Sequence, residues 1–298
     1  MPRKIKALAG ALAVILLTAS LSGCGSKDTI RIGAATYTEM KVISAIYQEL
    51  IEDRTDIEVK VIPDLLSNPM ILNSMKRGDL DMALGYSGVI FNNFFPVKET
   101  KDREEVLKQA KEGFDQHYDL KWLDPLGWEN TYALTVREDV AKEKGLETIS
   151  DLEQYQQEMK IGVEAAWMER QLDGYPGFTD AYGFGFEQIY KMDINLVYEA
   201  VANRKVDVVV AYSTDPRLLQ YNLKTLEDDK NFFPPYDASM VVRNEILKKH
   251  PEIEDILNEL KGKINEETIT KLNYEVDINN RNEREVAREY LQQQGLLD

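Results

Sequence analysis

The sequence predicts an α/β fold made of two similar lobes. From Thr29 onward, short apolar runs alternate with helical patterns, which is typical of parallel α/β units. The length of 298 residues suggests two globular units, because domains commonly have roughly 100–200 residues. The second half of the chain also repeats the order of motifs in the first half. Together these three observations favour two lobes built on one plan.

The first lobe opens with alternating strands and helices. Residues 29–34 have the pattern of a strand, and residues 40–52 place Ile43, Ile46 and Leu50 on one face of a helix. The elements predicted next are a strand at 57–62, a helix around 72–76 that ends at Gly78, a strand at 80–84 and a helical stretch within 98–119.

The same plan recurs later in the chain. Residues 159–165 resemble the first strand, and residues 206–213 resemble residues 80–87, with an aspartate five residues before a Tyr-Ser pair in each copy. Tyr86 and Tyr212 therefore occupy matching positions at the carboxyl ends of two strands, where open α/β sheets bind ligands. Each could instead be an ordinary half-buried strand tyrosine. The matched positions favour one cleft between two facing lobes.

Charge and residue types narrow the function classes. The chain has 36 Lys+Arg and 52 Asp+Glu, a formal charge of −16, which argues against nucleic acid as a partner because that needs a basic surface. His117 and His250 lie in charged helical surroundings, and a single cysteine offers little for nucleophilic catalysis or a zinc site. We therefore expect a binding protein with no catalytic residues, metal or cofactor.

Residues 1–23 predict a secretory signal peptide. A cationic head is followed by an uncharged apolar run from Ala7 to Ser22, which is short for a membrane span of ~20 residues. The sequence Leu-Ser-Gly-Cys at 21–24 resembles the bacterial lipobox, and this resemblance implies a lipid on Cys24. The alternatives are an uncleaved anchor or an unmodified cysteine. With residues 24–28 as a short lipidated tether, we expect attachment to the extracytoplasmic face of the cell membrane.

Aromatic residues stand where the chain would pass between the lobes. Asn130, Thr131 and Tyr132 directly precede a predicted strand at 133–136. Tyr236 follows two prolines, which fix the backbone of its loop. With Tyr86 and Tyr212, these tyrosines come from four segments. They suit a quaternary ammonium ion, which has no N–H to donate and is recognised by ring faces.

Arg170 is the cationic residue among these aromatic segments. A guanidinium can bind a carboxylate through two parallel hydrogen bonds, which would complete a site of betaine type. An ion pair between Arg170 and either Glu169 or Asp173 is the simpler interpretation. The sequence leaves both open.

Six motifs along the chain carry a resemblance to a known family. They are Gly-Asp-Leu-Asp at 78–81 with Tyr86, Asn-Thr-Tyr-Ala at 130–133, Asp-Gly-Tyr at 173–175, Val-Val-Ala-Tyr-Ser-Thr-Asp at 209–215, Phe-Phe-Pro-Pro-Tyr-Asp at 232–237 and Leu-Asn-Tyr-Glu-Val-Asp at 272–277. This set resembles the substrate-binding lipoproteins of bacterial osmoprotectant importers of the ATP-binding cassette class, which take up glycine betaine, carnitine or choline.

The resemblance implies a two-lobed, periplasmic-binding-protein-like clamshell of type II with two crossover segments. Lobe 1 would comprise residues 29–130 and 232–298, and lobe 2 residues 131–231. The partners would be a small quaternary ammonium ligand, a permease and its ATPase subunit. The ligand-binding residues implied are Tyr86, Tyr132, Tyr212 and Tyr236 as a cage, with Arg170, Ser87, Asn130 and Thr131 beside it.

One motif departs from the family. Relatives commonly have Tyr-Thr-Gly-Thr where this chain has Tyr-Ser-Gly-Val at 86–89, so Val89 replaces a hydroxyl. Choline, glycine betaine and carnitine therefore remain candidate ligands, as does a trimethylated amino acid such as ergothioneine. A receptor for a polar amino acid and a secreted enzyme acting on a cation are the competing hypotheses.

Overall fold

The computed structural model describes residues 28–165, 167–170 and 173–298. Within them the chain forms two five-stranded mixed sheets with helices packed against them. The predicted α/β class and the division into two lobes are therefore confirmed. The predicted signal peptide and Cys24 lie outside the described residues.

The strands and helices are numbered here in chain order. The strands are β1 (Thr29–Ala35), β2 (Glu58–Leu65), β3 (Met82–Tyr86), β4 (Leu120–Glu129), β5 (Tyr132–Arg137), β6 (Lys160–Glu164), β7 (Gln188–Met192), β8 (Val208–Tyr212), β9 (Leu223–Thr225) and β10 (Asp237–Arg243). The α-helices are α1 (Thr38–Arg54), α2 (Asn68–Arg77), α3 (Arg103–Tyr118), α4 (Glu138–Lys144), α5 (Tyr175–Tyr182), α6 (Ile194–Ala202), α7 (Arg217–Gln220), α8 (Asn244–Lys249), α9 (Glu252–Asn258), α10 (Glu266–Asp277) and α11 (Glu283–Gln293).

The two sheets share one topology. The first has the order β2-β1-β3-β10-β4 and the second the order β7-β6-β8-β5-β9. In each, the three strands at one side are parallel, and the next strand, β10 or β5, runs antiparallel to its neighbours. The antiparallel strand in each sheet follows a crossover from the other lobe.

Local sequence signals set the ends of α2, which borders the space between the two lobes. The side-chain oxygen of Ser67 caps the helix by accepting a hydrogen bond from the N–H of Met70. Pro69 stands in the first turn, where its missing N–H has no helical partner to lose. The helix ends at Gly78, whose φ of 80° favours a residue without Cβ. The predicted end at Gly78 is therefore confirmed.

The two lobes also repeat one arrangement of charged residues. Asp81 precedes β3, and its carboxylate accepts a hydrogen bond from the N–H of Arg31 at 2.9 Å. Asp207 precedes β8 and accepts one from the N–H of Lys160 at 3.0 Å. The last residue of the antiparallel strand, Arg243 or Arg137, pairs with that aspartate at 3.1 and 3.6 Å. The internal repeat seen in the sequence is present in three dimensions.

Each lobe has its own buried core. In the first lobe, Ile43, Ile46 and Leu50 are fully buried, as the helical pattern predicted. The second lobe has a core rich in aromatic side chains, which includes Phe232 and Phe233. These two phenylalanines pack into the second lobe although β10 soon returns the chain to the first sheet.

The chain passes between the lobes at two adjacent points. The first crossover joins β4 to β5, and the second joins β9 to β10. The N–H of Asn130 in the first donates to the carbonyl oxygen of Tyr236 in the second at 3.1 Å. The two connections therefore lie side by side at one edge of the cleft.

Candidate functional site

A cavity of about 680 Å³ lies between the two lobes. Its walls come from the carboxyl ends of β3 and β8, the first turn of α1, and both crossovers. This position beyond the carboxyl ends of parallel strands is where open α/β sheets bind ligands. We call this cavity the cleft.

All four predicted tyrosines line the cleft, and we call them the tyrosine cage. Tyr86 and Tyr212 are the last residues of β3 and β8, Tyr132 is the first residue of β5, and Tyr236 directly precedes β10. Each side chain is half-buried. The fold thus brings together residues that lie up to 150 positions apart in the chain, two from each sheet.

The aromatic surface continues across the cleft. Tyr132 and Tyr212 are cross-strand partners, and their rings stack with centroids 5.2 Å apart and an interplanar angle of 23°. Tyr37, at the start of α1 in the first lobe, meets Tyr212 edge-on with centroids 6.5 Å apart. Such offset and edge-on geometries are the favoured ones for aromatic pairs.

A glycine makes room for Tyr236. A Cβ at Gly88 would lie 2.7 Å from the ring of Tyr236 and 2.8 Å from the carbonyl oxygen of Pro235. Any larger residue at position 88 would displace the tyrosine or the rigid loop that carries it. The Gly in the motif at 86–89 therefore has a direct steric role at the cleft.

A buried carboxyl group supports Tyr86. Glu39, in the first turn of α1, is 3% exposed, and it accepts hydrogen bonds from the phenol of Tyr86 and from Nδ2 of Asn130 at 3.3 Å. Burial raises the pKa of Glu39, and the hydrogen bond from Tyr86 opposes that shift. Glu39 thereby ties a cage tyrosine to the first crossover.

Burial also keeps the phenols of the cage neutral. Desolvation is the main cause that raises the pKa of every cage tyrosine above the ordinary value of 10. At Tyr86 the charge of Glu39 adds to this effect. Neutral rings attract a cation through their electron-rich faces without a formal charge of their own.

Arg170 reaches the cleft from the loop before α5. Its guanidinium carbon lies 5.8 Å from the centroid of the Tyr132 ring. Its Nε and Nη2 donate to the two carboxylate oxygens of Asp173 at 2.7 and 2.5 Å. The ion pair with Asp173, one of the two interpretations of the sequence, is therefore formed, and the arginine lines the cleft as well.

The remaining predicted contacts divide into two groups. Asn130 and Thr131 line the cleft. Ser87 does not, because it is fully buried, accepts a hydrogen bond from the N–H of Asp237 at 2.9 Å and donates to the carbonyl oxygen of Pro235 at 3.3 Å. Ser87 is therefore the one predicted ligand-binding residue that the structure does not bring to the wall of the cleft. Its hydroxyl instead fixes the loop that enters β10.

Sequence reasoning missed Glu39 and Tyr37. An acidic residue in the first turn of a helix is ordinary, since it complements the helix dipole, so the local pattern did not single out Glu39. The available signal was position in the chain. Tyr37 directly precedes α1 and Glu39 lies in its first turn, close after the carboxyl end of β1, at the edge where ligands bind.

The described part of the chain gives little support to a histidine-based site, a metal site or a membrane-spanning helix. Neither His117 nor His250 lines the cleft. Residues 28–165, 167–170 and 173–298 contain no group of three or more His, Cys, Asp or Glu placed to hold a metal ion. No helix among them is both long enough and apolar enough to cross a membrane.

Comparison with known proteins identifies the family. The model of the substrate binding domain of ABC-type glycine betaine transport systems matches residues 28–293. The chain belongs to this family. It is a substrate-binding protein of ABC-type import, an extracytoplasmic component that works with a permease and an ATPase.

Individual relatives agree with this assignment. The chain is 43% identical to the carnitine transport binding protein OpuCC of Listeria monocytogenes over 96% of each chain. It is 36% identical to the ergothioneine transport permease/ergothioneine binding protein EgtU of Helicobacter pylori, over 74% of this chain and 39% of that one. A crystal structure of a glycine betaine/carnitine/choline ABC transporter protein superposes with a TM-score of 0.86 at 37% identity, covering 90% of this chain and all of the other.

This structural likeness also confirms the predicted periplasmic-binding-protein-like fold. The family members are transport proteins that bind a solute, which agrees with the expectation of a binding protein.

Proposed function

We propose that the tyrosine cage binds a small quaternary ammonium solute and that the two lobes close around it. The supporting observation is that four tyrosines line one cleft. Tyr86 ends β3 and Tyr236 directly precedes β10 of the first sheet, and Tyr132 and Tyr212 belong to the second sheet. Each ring face contributes about 0.5–2 kcal/mol to cation binding once water is excluded. Because both lobes supply rings, the full set surrounds the cation only when the lobes approach each other.

Asn130 and Thr131 would contribute from the crossover. Both line the cleft, and the N–H of Thr131 donates to Oγ of Ser213 in the second lobe at 3.2 Å. A crossover held in this way keeps the two halves of the cage in register. Closure would then hand the enclosed solute to the permease in one defined orientation.

The candidate solutes are glycine betaine, carnitine and choline. The Listeria relative is named for carnitine, and the crystal structure for all three. The relative from Helicobacter is named for ergothioneine, which supports a trimethylated amino acid as the second candidate. We further propose that a lipid on Cys24 holds the protein at the extracytoplasmic face of the membrane, because the sequence at 21–24 has the lipobox pattern.

Alanine substitutions test the cage. We expect Tyr86→Ala, Tyr132→Ala, Tyr212→Ala and Tyr236→Ala each to weaken binding of choline or glycine betaine by about 10-fold or more in isothermal titration calorimetry, since each removes a ring face. Tyr132→Phe should change affinity by less than about 3-fold, because phenylalanine keeps the face. Tyr190→Ala, a change at an exposed tyrosine in β7, is the matched control.

Unchanged affinity in all four alanine variants contradicts the cage. Tight binding of primary-amine amino acids in competition with choline would instead favour the polar amino acid receptor. Mass spectrometry of the recovered solute addresses the enzyme hypothesis, because a receptor returns its ligand chemically unaltered.

A further inference from the structure

The charges around the cleft form a small set. Among the residues that the structure describes, the charged side chains lining the cleft are Glu39, Arg170, Asp215, Arg217 and Asp277. Both cationic groups are arginines. A ligand carboxylate could form an ion pair in this cleft only with an arginine that is not already paired with an acid of the protein.

Arg170 is already compensated by a buried acid. Asp173 is 5% exposed, and its two oxygens accept hydrogen bonds from Nε and Nη2 of Arg170. Removing the arginine from this pair would deprive a desolvated carboxylate of two hydrogen bonds from a cation, which is strongly unfavourable. A ligand carboxylate would therefore compete with Asp173 for a guanidinium that is already bound on its Nε edge.

Arg217 is compensated in the same way in the second lobe. Its Nε and Nη2 donate to the carboxylate of Asp215 at 2.8 and 2.5 Å. Its remaining nitrogen, Nη1, donates to Oδ1 of Asn195 at 3.0 Å, and the guanidinium lies 4.0 Å from the centroid of the Tyr198 ring. The hydrogen-bonding edges of Arg217 are thus occupied by groups of its own lobe.

In the described part of the chain, neither of the two remaining acids hydrogen-bonds to a cationic side chain, although the charges of Arg217 and Lys41 attract that of Asp277. Glu39 accepts hydrogen bonds from the neutral groups of Tyr86 and Asn130, and Asp277 accepts one from the hydroxyl of Thr38 at 2.5 Å. At pH 7 each arginine–aspartate ion pair sums to zero charge, and Glu39 and Asp277 add either zero or negative charge. At this pH the charged groups of the cleft wall and their ion-pair partners therefore carry no net positive charge.

Val89 adds a further reason why the cleft would bind a carboxylate poorly. Val89 lines the cleft beside Tyr86, and its isopropyl group offers no hydrogen bond to an anion. A carboxylate entering the closed cleft would meet neutral groups such as Asn130 and Thr131 rather than an unpaired cation, and desolvation is costly for a charged group.

We infer that this cleft selects quaternary ammonium ligands that carry a net positive charge over zwitterions that also carry a carboxylate. The inference rests on the proposed function of the cage and adds the charge class of the solute. The preferred solutes would be choline-like, with a hydroxyl, ester or amide in place of the carboxylate.

Matched ligand pairs test this in the unmodified protein. Glycine betaine and its amide, and carnitine and its methyl ester, differ chiefly in whether the carboxylate charge is present. We expect the amide and the ester to bind at least about 10-fold more tightly than their parent zwitterions in calorimetry at pH 7, because a carboxylate without a net counter-charge pays its desolvation cost. Equal or tighter binding of the zwitterions overturns the inference.

A variant of Asp173 tests whether its pairing with Arg170 causes the preference for cationic ligands. Asp173→Asn removes the compensating charge and leaves Arg170 free, so we expect the preference for glycine betaine amide over glycine betaine to fall by about 10-fold or more. Asp56→Asn, at an exposed position in the loop before β2, removes the same charge away from the cleft and should leave the preference unchanged. A preference that is the same in both variants overturns the role of Asp173.

The outcomes separate the two proposals. Binding of both members of each pair with no preference for the cation overturns the charge selection and leaves the cage intact. Failure of all four compounds and of choline to bind overturns the proposed function itself. If Asp173→Asn shows no cooperative thermal transition, the ligand pairs in the unmodified protein decide the question.

Discussion

Glu39 is a buried carboxyl group whose cost to stability would be offset by the cation proposed to bind in the cage. Its carboxyl is almost fully desolvated at the start of α1, and no cationic side chain among the described residues hydrogen-bonds to it. Such a group destabilises the unliganded fold when ionised. A cation in the tyrosine cage would supply the missing positive charge, since Glu39 bonds directly to one wall of the cage.

The pH dependence of Glu39→Gln tests this idea. Because the folded-state pKa of Glu39 is raised above 4.5, the folded protein binds its proton more tightly than the unfolded chain does, and the stability that this provides is lost as pH rises through the folded pKa. We therefore expect Glu39→Gln to gain stability relative to the parent as pH increases from 4.5, measured by thermal unfolding of the unliganded protein.

The same variant should bind choline less well. Above the folded pKa of Glu39 it lacks the negative charge behind Tyr86, and we expect an affinity loss of about 3- to 10-fold in calorimetry, falling away at low pH. Glu143→Gln, at an exposed site in α4, is the control. An affinity loss that does not change with pH would mean that the charge of Glu39 does not act on the ligand.

At the scale of elements, the two lobes repeat one arrangement of strands and charged residues, but its aspartate is buried to different extents in the two lobes. In each unit an aspartate before the third parallel strand joins the first strand to the end of the antiparallel strand. The Asp81 side chain is 2% exposed, whereas the Asp207 side chain is 31% exposed. The same junction should therefore contribute differently to the stability of the two lobes.

Substituting each aspartate measures this difference. We expect Asp81→Asn to reduce the free energy of unfolding by about 3 kcal/mol, since it removes the charge of a buried carboxylate that pairs with Arg31 and Arg243. Asp207→Asn should cost only about 1 kcal/mol, because its pair with Arg137 is partly solvated. Denaturant unfolding followed by circular dichroism reports both values. Equal losses would contradict the assignment of different burial to the two junctions.

At the scale of the whole molecule, the crossovers and a few direct contacts fix how the lobes face each other. One contact joins α10 of the first lobe to the segment after β8, where Nδ2 of Asn273 donates to the carbonyl oxygen of Thr214 at 3.1 Å. Asn273 is 3% exposed and lines the cleft. This bond is well placed to influence the balance between open and closed arrangements.

Asn273→Ala tests that influence. Loss of a buried hydrogen bond costs about 0.5–1.5 kcal/mol, and we expect choline affinity to fall by about 3- to 10-fold while small-angle X-ray scattering shows a larger radius of gyration without ligand. Asn279→Ala, an exposed change just after α10, should alter neither quantity. Unchanged scattering and affinity in Asn273→Ala would show that the bond does not couple the lobes.

The sequence by itself was enough to predict the class of fold, the internal repeat and the four tyrosines that line the cleft. These features are local or periodic, since strand and helix patterns, and a Tyr at the end of each matching strand, can be recognised without knowing which segments meet. The start of α2 at Asn68, earlier than the predicted span, followed from a Ser67 cap that the apolar pattern did not include.

Only the tertiary structure decided the surroundings of those residues. It turned Ser87 away from the cleft toward Pro235, brought Glu39 under Tyr86, and paired Arg170 with Asp173 rather than leaving it free. Each outcome depends on how deeply the side chain is buried, on which way it points, and on hydrogen-bond partners that come from other strands, helices and loops. These quantities are set by packing in three dimensions, because desolvation and hydrogen bonding act through space and not along the chain.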